Sequence, residues 1–343
     1  MATETLILAS LAFLGSLVGT KLFIGLLRSA GAGQPIRDYG PKIHEHKRGT
    51  PTMGGVVLLA VYFAVLIVYQ FFRPLGEGGL VLVSALLGFG LVGFLDDALK
   101  FLEQHARGLP ARYKLLGQLL VIAGLVALLR ALELESALTP LRVPFLDSGS
   151  GSGWRLEGPW LYGLIALTFL GTVNAWNLTD GLDGLAAGIT LLVLAGFGVL
   201  LLALAPGQAG NLPELIAIFA AALLGFLWWN VHPARIFLGD TGSMALGGFV
   251  AAVSVLTGTE LFLLIFAIVP VLEALSVIVQ VTSFKLLGRR VFKVSPFHHH
   301  FERAEGVDYP YLLPSVELPE WGITLAFWVV TAVFVGVGLA LLG

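Results

Sequence analysis

The sequence predicts an all-α, polytopic integral membrane protein with ten transmembrane helices. Three observations carry that expectation. The 343 residues are 57% hydrophobic and only 12% charged, against about 25% charged in an ordinary soluble domain. Apolar stretches of roughly 20 residues, the length that crosses a bilayer, recur from end to end. They run on at helical length without alternating, which favours helices over the short alternating strands of a barrel.

The spans fall near 5–27, 53–72, 79–98, 112–130, 159–176, 185–205, 213–229, 241–257, 259–284 and 320–342. In the first, Lys21 and Arg28 follow the apolar run, the wrong charge order for a cleaved leader. The third ends in the polar stretch "GFLDDALK" (93–100). The spans 159–176 and 241–257 sit at the short end of the usual range. The seventh closes on "FLWWN" (226–230), an aromatic stripe suited to the membrane interface. The hairpin "TGTE" (257–260) separates the eighth from the ninth, whose Pro270 and Glu273 could support a break.

Ten spans place both termini on one side. With the N-terminus outside, the inner connections are 28–52, 99–111, 177–184, 230–240 and 285–319. Fifteen Lys and Arg then lie in or beside the inner connections and four outside, the asymmetry of the positive-inside rule. All seven histidines (His44, His46, His105, His232, His298, His299 and His300) fall on the same inner side. Both termini are therefore expected to be periplasmic and the active site to lie on the cytoplasmic face of a single transmembrane catalytic domain. The outer segment 131–158, with "LDSGSGSGW", reads as a flexible linker. A net charge of −2 gives no sign of a nucleic-acid partner. The absence of Cys excludes disulfides, thiolate metal ligands and cysteine nucleophiles.

Four polar islands gather on the inner face. In "GFLDDALK", Asp96 and Asp97 lie at membrane depth, where carboxylates are expensive and usually line a cavity or bind an ion. Neighbours on a helix point about 100° apart, so one can face a metal or phosphate while the other turns to a neighbouring helix. The plain alternative is a polar helix end. In "NAWNLTDGLDGLA" (174–186), Asn177, Asp180 and Asp183 repeat every third residue, and the glycines permit a tight path that can present oxygens and N–H groups to a nucleotide or cation. The plain alternative there is a capped turn. "NVHPARIFLGDTGSMALGG" (230–248) places Asp240, Thr241 and Ser243 before an apolar helix, where capping competes with ligation. Phe237 suits either a base or the interface. In "VSPFHHHFE" (294–302), three adjacent histidines cannot all coordinate one ion with good geometry. With Lys293 beside them, they suit hydrogen-bond donation to phosphate oxygens or proton handling better than zinc.

The first inner loop adds Arg37, Lys42, Lys47 and Arg48, which serve an anion or only fix topology. Carboxylates for a hard cation, cations and imidazoles for phosphates, and small-residue loops together form the inventory of Mg²⁺-assisted phosphoryl transfer.

The motifs "GPKIHEHKRGTPTMGG" (40–55), "LVGFLDD" (91–97), "NAWNLTDGLDGLA", "FLGDTGS" (237–243) and "SPFHHHFE" (295–302) resemble, in order, those of the bacterial phospho-N-acetylmuramoyl-pentapeptide transferases. These belong to the polyprenyl-phosphate N-acetylhexosamine-1-phosphate transferase superfamily. The aspartate motifs are shared across the superfamily; "GTPTMGG" and "HHHFE" are more specific to this branch. The resemblance implies ten transmembrane helices, Mg²⁺, a homodimer and the bacterial cytoplasmic membrane. It implies UDP-N-acetylmuramoyl-pentapeptide and undecaprenyl phosphate as substrates, with UMP and lipid I as products. By motif, Asp240 would ligate Mg²⁺ and Asp96 would deprotonate or orient the lipid phosphate, with Asp97 beside it; which of the two is the base stays open, as does a covalent aspartate. Asn177, Asp180 and Asp183 would line the nucleotide site, with Phe237 against uracil. Lys47, Lys100, His298, His299 and His300 would hold phosphates, His298 in the catalytic set. Thr52 and Gln280 join the substrate-binding set. A sister enzyme acting on UDP-N-acetylglucosamine and a secondary transporter with broken helices are the competing readings.

Overall fold

The computed structural model describes residues 2–29, 49–103, 108–134, 141–144, 154–203, 210–303 and 309–341. Each long apolar run within them is helical: α1 (Ala2–Ser29), α2 (Gly54–Tyr69), α3 (Gly76–Glu103), α4 (Ala111–Ala131), α5 (Pro159–Thr179), α6 (Leu185–Ala203), α7 (Leu212–Asn230), α8 (Gly239–Thr257), α9 (Glu260–Phe266), α10 (Ile268–Leu287) and α11 (Glu320–Ala340). A short 3-10 turn, Phe297–His300, carries the histidines. Among the described residues there are two isolated β-bridges and no strand.

Nine of these helices are long and apolar enough to cross a membrane. The sequence count of ten meets two differences. The span expected at 53–72 is α2, a helix of only 16 residues, which at 1.5 Å per residue reaches about 24 Å against a hydrocarbon core of about 30 Å. The span expected at 259–284 is broken at Ala267 into α9 and α10. Pro270 lies in the first turn of α10, where its missing N–H costs nothing. In an unbroken helix its ring would meet the carbonyl of Phe266, so the break falls just before it. The outer segment also differs from a free linker where it is described. Leu141 and Trp154 exchange backbone hydrogen bonds of 3.0 and 3.1 Å, and Arg142 N–H donates to the Gly258 carbonyl at 2.7 Å.

Helix α8 is the axis of the bundle, buried along nearly its whole length. Lipid tails give helices no hydrophobic reason to associate, so close packing through small residues must do it. A Cβ on Gly93 of α3 would collide with the backbone of Asp240 and Thr241. One on Gly55 of α2 would collide with Gly242, and one on Gly247 would press on the α5 backbone at Val173, 2.7 Å away. These glycines let α2, α3 and α5 bring their polar ends against the start of α8.

Arg73 pairs with Glu214 at 2.6 Å and with Glu4 at 3.7 Å, gathering the starts of α1 and α7 at one end. At the other lie the ends of α3, α5 and α7, the starts of α4, α8 and α11, and the histidine turn. All the functional candidates among the described residues are at this second end.

Candidate active site

The start of α8 is held by a residue 143 positions away. Asp97 of α3 accepts the backbone N–H of Asp240 at 3.0 Å, that of Thr241 at 2.8 Å and the Thr241 hydroxyl at 2.7 Å. No side chain of α8 itself caps it. The exposed N–H groups of a helix start require acceptors, and a carboxylate also complements the positive end of the helix dipole. Asp97 meets both needs, and its two oxygens are thereby committed.

Its neighbour Asp96 turns away from α8's backbone. It accepts the Leu109 N–H at 2.8 Å and pairs with Lys100, one helical turn on, at 2.5 Å. The Lys100 ammonium also donates to Asp240 Oδ2 at 2.7 Å, and Lys114 of α4 reaches the same oxygen at 3.0 Å. Asn177 donates to Asp240 Oδ1 at 2.8 Å and to the Ser243 hydroxyl at 3.0 Å, while its own carbonyl accepts from Lys114 at 3.1 Å. Asp240 is thus oriented from three helices at once. Oxygens of Asp96, Asp97 and Asp240 lie within 4.8 Å of one another, close enough to share a metal ion. An all-oxygen donor set suits a hard divalent cation.

The structure separates residues that the sequence groups. Asn177 joins Asp240, whereas Asp183 belongs to a second cluster. Its carboxylate accepts the Ala234 N–H at 2.9 Å and lies 3.1 Å from His232 Nδ1, and its own N–H donates to Glu320 at 2.8 Å. Asp183, His232 and Glu320 likewise lie within metal-sharing distance. Asp180 ends α5 at the same face. The Phe237 backbone pairs with Pro51 and Gly54 at 2.8 and 2.9 Å, which places its ring and the half-buried Thr52 beside the start of α8. Lys47, with Arg37, Lys42, Arg48, His44, His46 and His105, lies outside the described residues.

The three histidines have three different environments, and neither metal-sharing group includes them. His298 is fully buried. Its N–H donates to Glu273 at 3.1 Å, its Nδ1 lies 3.1 Å from the same carboxylate, and its Nε2 edge abuts Gly181, where a Cβ would collide with it. His299, the most exposed of the three, pairs with Glu302. His300 accepts the Lys293 N–H at Nδ1 (3.0 Å) and donates from Nε2 to the Pro314 carbonyl at 3.3 Å. Burial pushes its pKa down, and both ring nitrogens serve the loop. Lys293 is likewise engaged, by the Glu302 carbonyl at 2.8 Å and Glu317 at 2.9 Å. Gln280 binds the N–H groups of Val291 and Phe292 and the Phe292 carbonyl, tying the histidine loop to α10.

The sequence assigns Glu273 only a place in a helix break and Lys114 only a share of the inner positive charge, and it does not show the His232–Glu320 partnership. Lys114 did carry a signal, since a cation in the first turn of a helix opposes the helix dipole. Its position makes sense only once Asp240 is beside it.

The division of labour between the adjacent aspartates has a measurable consequence. Asp97→Ala is expected to lower the unfolding temperature, because three donors lose one acceptor and a lost cap costs about 0.5–2 kcal/mol. Asp96→Ala should cost less stability and more turnover. Thermal unfolding and turnover of both variants in one detergent check this, and the reverse order in both would contradict it.

Comparison with known proteins decides the family. The Glycosyl transferase family 4 profile matches residues 79–258. The phospho-N-acetylmuramoyl-pentapeptide-transferase signature 1 matches residues 47–59. The phospho-N-acetylmuramoyl-pentapeptide-transferase of Geobacillus kaustophilus is 42% identical over 99% of this chain and 98% of its own. That of Heliobacterium modesticaldum is 44% identical over 95% and 94%, and that of Shouchella clausii 42% over 96% and 94%. The chain belongs to the phospho-N-acetylmuramoyl-pentapeptide-transferase family. It is a multi-pass membrane transferase, and the Asp96–Lys100–Lys114–Asn177–Asp240 network of this family member lies within the matched profile, as does Asp183.

Proposed function

We propose that this protein transfers phospho-N-acetylmuramoyl-pentapeptide from its UDP ester to undecaprenyl phosphate, the first membrane step of peptidoglycan synthesis. The observation that carries the chemistry is the convergence of two carboxylates and two ammonium groups on Asp240 Oδ2 and its neighbours. Such a centre suits a diphosphate and a divalent cation more than a neutral ligand. An acceptor phosphate oxygen forms the new bond to the sugar-bearing phosphorus, and the bond from that phosphorus to UMP breaks.

Asp240 and Asp96 fit Mg²⁺ as hard oxygen ligands, and a bound Mg²⁺ would neutralise charge on the diphosphate. Lys100 and Lys114, displaced from their carboxylates, would meet the remaining phosphate oxygens. Asp96 orients the acceptor; a phosphate monoester with a second pKa near 6 leaves it little proton to remove. Asn177 fixes the Asp240 carboxylate and Asp97 fixes the helix that carries it. Phe237, Thr52 and Asp180 border the nucleoside, and Asp183 holds the 231–238 loop in place. Lys47 completes the phosphate contacts from the first loop. Gln280 and His300 support the loop from which His299 faces substrate, and His298 acts on the reaction through Gly181.

The asymmetry of fifteen basic residues against four supports a cytoplasmic site in a bacterial inner membrane, with both termini outside. In this reading α2 completes a tenth crossing, its short length matched by close packing against α8, and the enzyme works as a homodimer. The signature at 47–59 favours the muramoyl-pentapeptide donor over UDP-N-acetylglucosamine. Purified enzyme with undecaprenyl phosphate and Mg²⁺ is expected to release UMP from UDP-N-acetylmuramoyl-pentapeptide and not from UDP-N-acetylglucosamine. Equal release from the two would refute the assignment of donor.

A further inference from the structure

The seam between α1 and α7 holds two features that the transfer reaction does not use. At the polar end is a cavity of about 230 Å³ lined by Lys21, Ile24, Gly25, Arg28, Trp229 and Arg235. Among the described residues its lining has three cations and no carboxylate. Lys21 and Arg28 are seven residues apart, hence on one face of α1, and Arg235 comes from the loop between α7 and α8. Its guanidinium lies 5.3 Å from the Trp229 ring centre, and its backbone N–H donates to the Trp229 carbonyl at 2.8 Å. The Trp229 indole in turn donates to the Leu17 carbonyl of α1 at 2.8 Å.

Deeper along the same seam is an apolar groove of about 390 Å³, lined by Ala9, Ser10, Phe13, Leu14, Ala221 and Leu224. Ser10 precedes Lys21 by eleven residues, three helical turns, so groove and cavity share one stripe of α1 about 16 Å apart. A cation cluster at the interface followed by an apolar track into the bilayer is the complement of an amphiphile with a negative headgroup.

We propose that this seam is a binding site for one anionic glycerophospholipid, its phosphate headgroup among Lys21, Arg28 and Arg235 and an acyl chain in the groove. The site is distinct from the transfer centre, since none of the Asp96–Lys100–Asp240 network lines it. That separation is the reason to assign a resident phospholipid and not the acceptor lipid. The headgroup would tie α1 to the loop 231–238, whose Ala234 N–H is held by Asp183 and which leads into Phe237 and Asp240. Lipid charge thereby has a route to the geometry of the catalytic end.

Gly25 provides a test that leaves the charges in place. A Cβ there would meet nothing within 4 Å, so the side chain of Gly25→Leu starts in open space and occupies the cavity that Gly25 lines. Purified enzyme is equilibrated in micelles with equimolar phosphatidylglycerol, phosphatidylcholine and undecaprenyl phosphate, and the lipids retained are read by native mass spectrometry. The wild type is expected to retain one phosphatidylglycerol per chain. Each interfacial cation strengthens anionic-lipid binding by roughly fivefold, so Arg28→Gln with Arg235→Gln should weaken retention about 30-fold. Gly25→Leu should also lose the lipid while unfolding at the wild-type temperature in lipid-free detergent. As a check needing no variant, raising ionic strength from about 0.05 to about 0.5 M should strip phosphatidylglycerol from the wild type. Retention unchanged in the variants and in salt would overturn the site. Equal retention of phosphatidylcholine would show that the headgroup is not read, and undecaprenyl phosphate retention that falls in the Arg28→Gln/Arg235→Gln and Gly25→Leu variants would give the seam to the acceptor; either result overturns the assignment.

Discussion

Asp240→Asn is expected to lower turnover per folded enzyme by about a hundred- to a thousandfold, the scale on which one preorganised charge interaction acts in a transition state. Asp240 is the point where Lys100 at 2.7 Å, Lys114 at 3.0 Å and Asn177 at 2.8 Å meet. An amide keeps the shape but removes the negative charge, so a divalent cation held as proposed would lose its central oxygen ligand. Stability should fall too, since two ammoniums lose a shared partner. The fall should be less than the about 3–5 kcal/mol of breaking a fully buried pair, because Lys100 retains Asp96 and is 31% exposed. Initial rates at several Mg²⁺ concentrations, normalised to folded protein, check the expectation. A folded variant with wild-type turnover and Mg²⁺ dependence would leave Asp240 as a helix-start residue only.

The second large effect is expected at Glu273, a carboxylate 0% exposed in α10, one turn past Pro270. Glu273→Ala leaves the buried His298 N–H without an acceptor, at about 1–3 kcal/mol, and frees the ring to turn away from Gly181. Loss of the outer partner of a metal-bound histidine costs about 10–100-fold, and a kcat reduction of comparable size is expected if His298 acts on the reaction. Glu273→Gln can still accept from the N–H, so it should recover most of the stability. It puts an amide where a carboxyl oxygen faces Nδ1, so the hold on the ring changes and the rate should recover less than the stability. Thermal unfolding and kcat measured together separate the two; wild-type turnover in Glu273→Gln would reduce the contact to packing.

The helices were legible because each apolar run is long and uninterrupted, and the fault at Pro270 was legible because proline has no N–H to give. The shortness of α2 was not. Phe71 and Phe72 continue the apolar pattern, but Arg73 must turn back to reach Glu214, a partner 141 positions away. The two aspartates at the end of α3 could be expected to part by their angle on a helix. That Asp97 would cap α8 could not, because Asp240, Thr241 and Ser243 look locally sufficient to cap it themselves. The same limit hid the sorting of "NAWNLTDGLDGLA" into two clusters, with Asn177 facing Asp240 and Asp183 facing His232 and Glu320. A three-residue spacing suggests one shared face, but α5 ends at Thr179 and the chain turns before Asp183. Of the histidines, the sequence showed that three adjacent rings cannot be equivalent. Which ring is buried depends on Glu273 and Pro314, both remote in the chain.

The central claim is that donor diphosphate and metal meet at Asp240 and not at the second acidic cluster. Mn²⁺ in place of Mg²⁺ makes this directly observable, because pulsed electron–nuclear double resonance detects phosphorus next to the ion. With UDP-N-acetylmuramoyl-pentapeptide bound, a strong phosphorus coupling is expected in the wild type, retained in Glu320→Gln and lost in Asp240→Asn. A coupling that survives Asp240→Asn and disappears in Glu320→Gln would place the metal with Asp183, His232 and Glu320, and contradict the account.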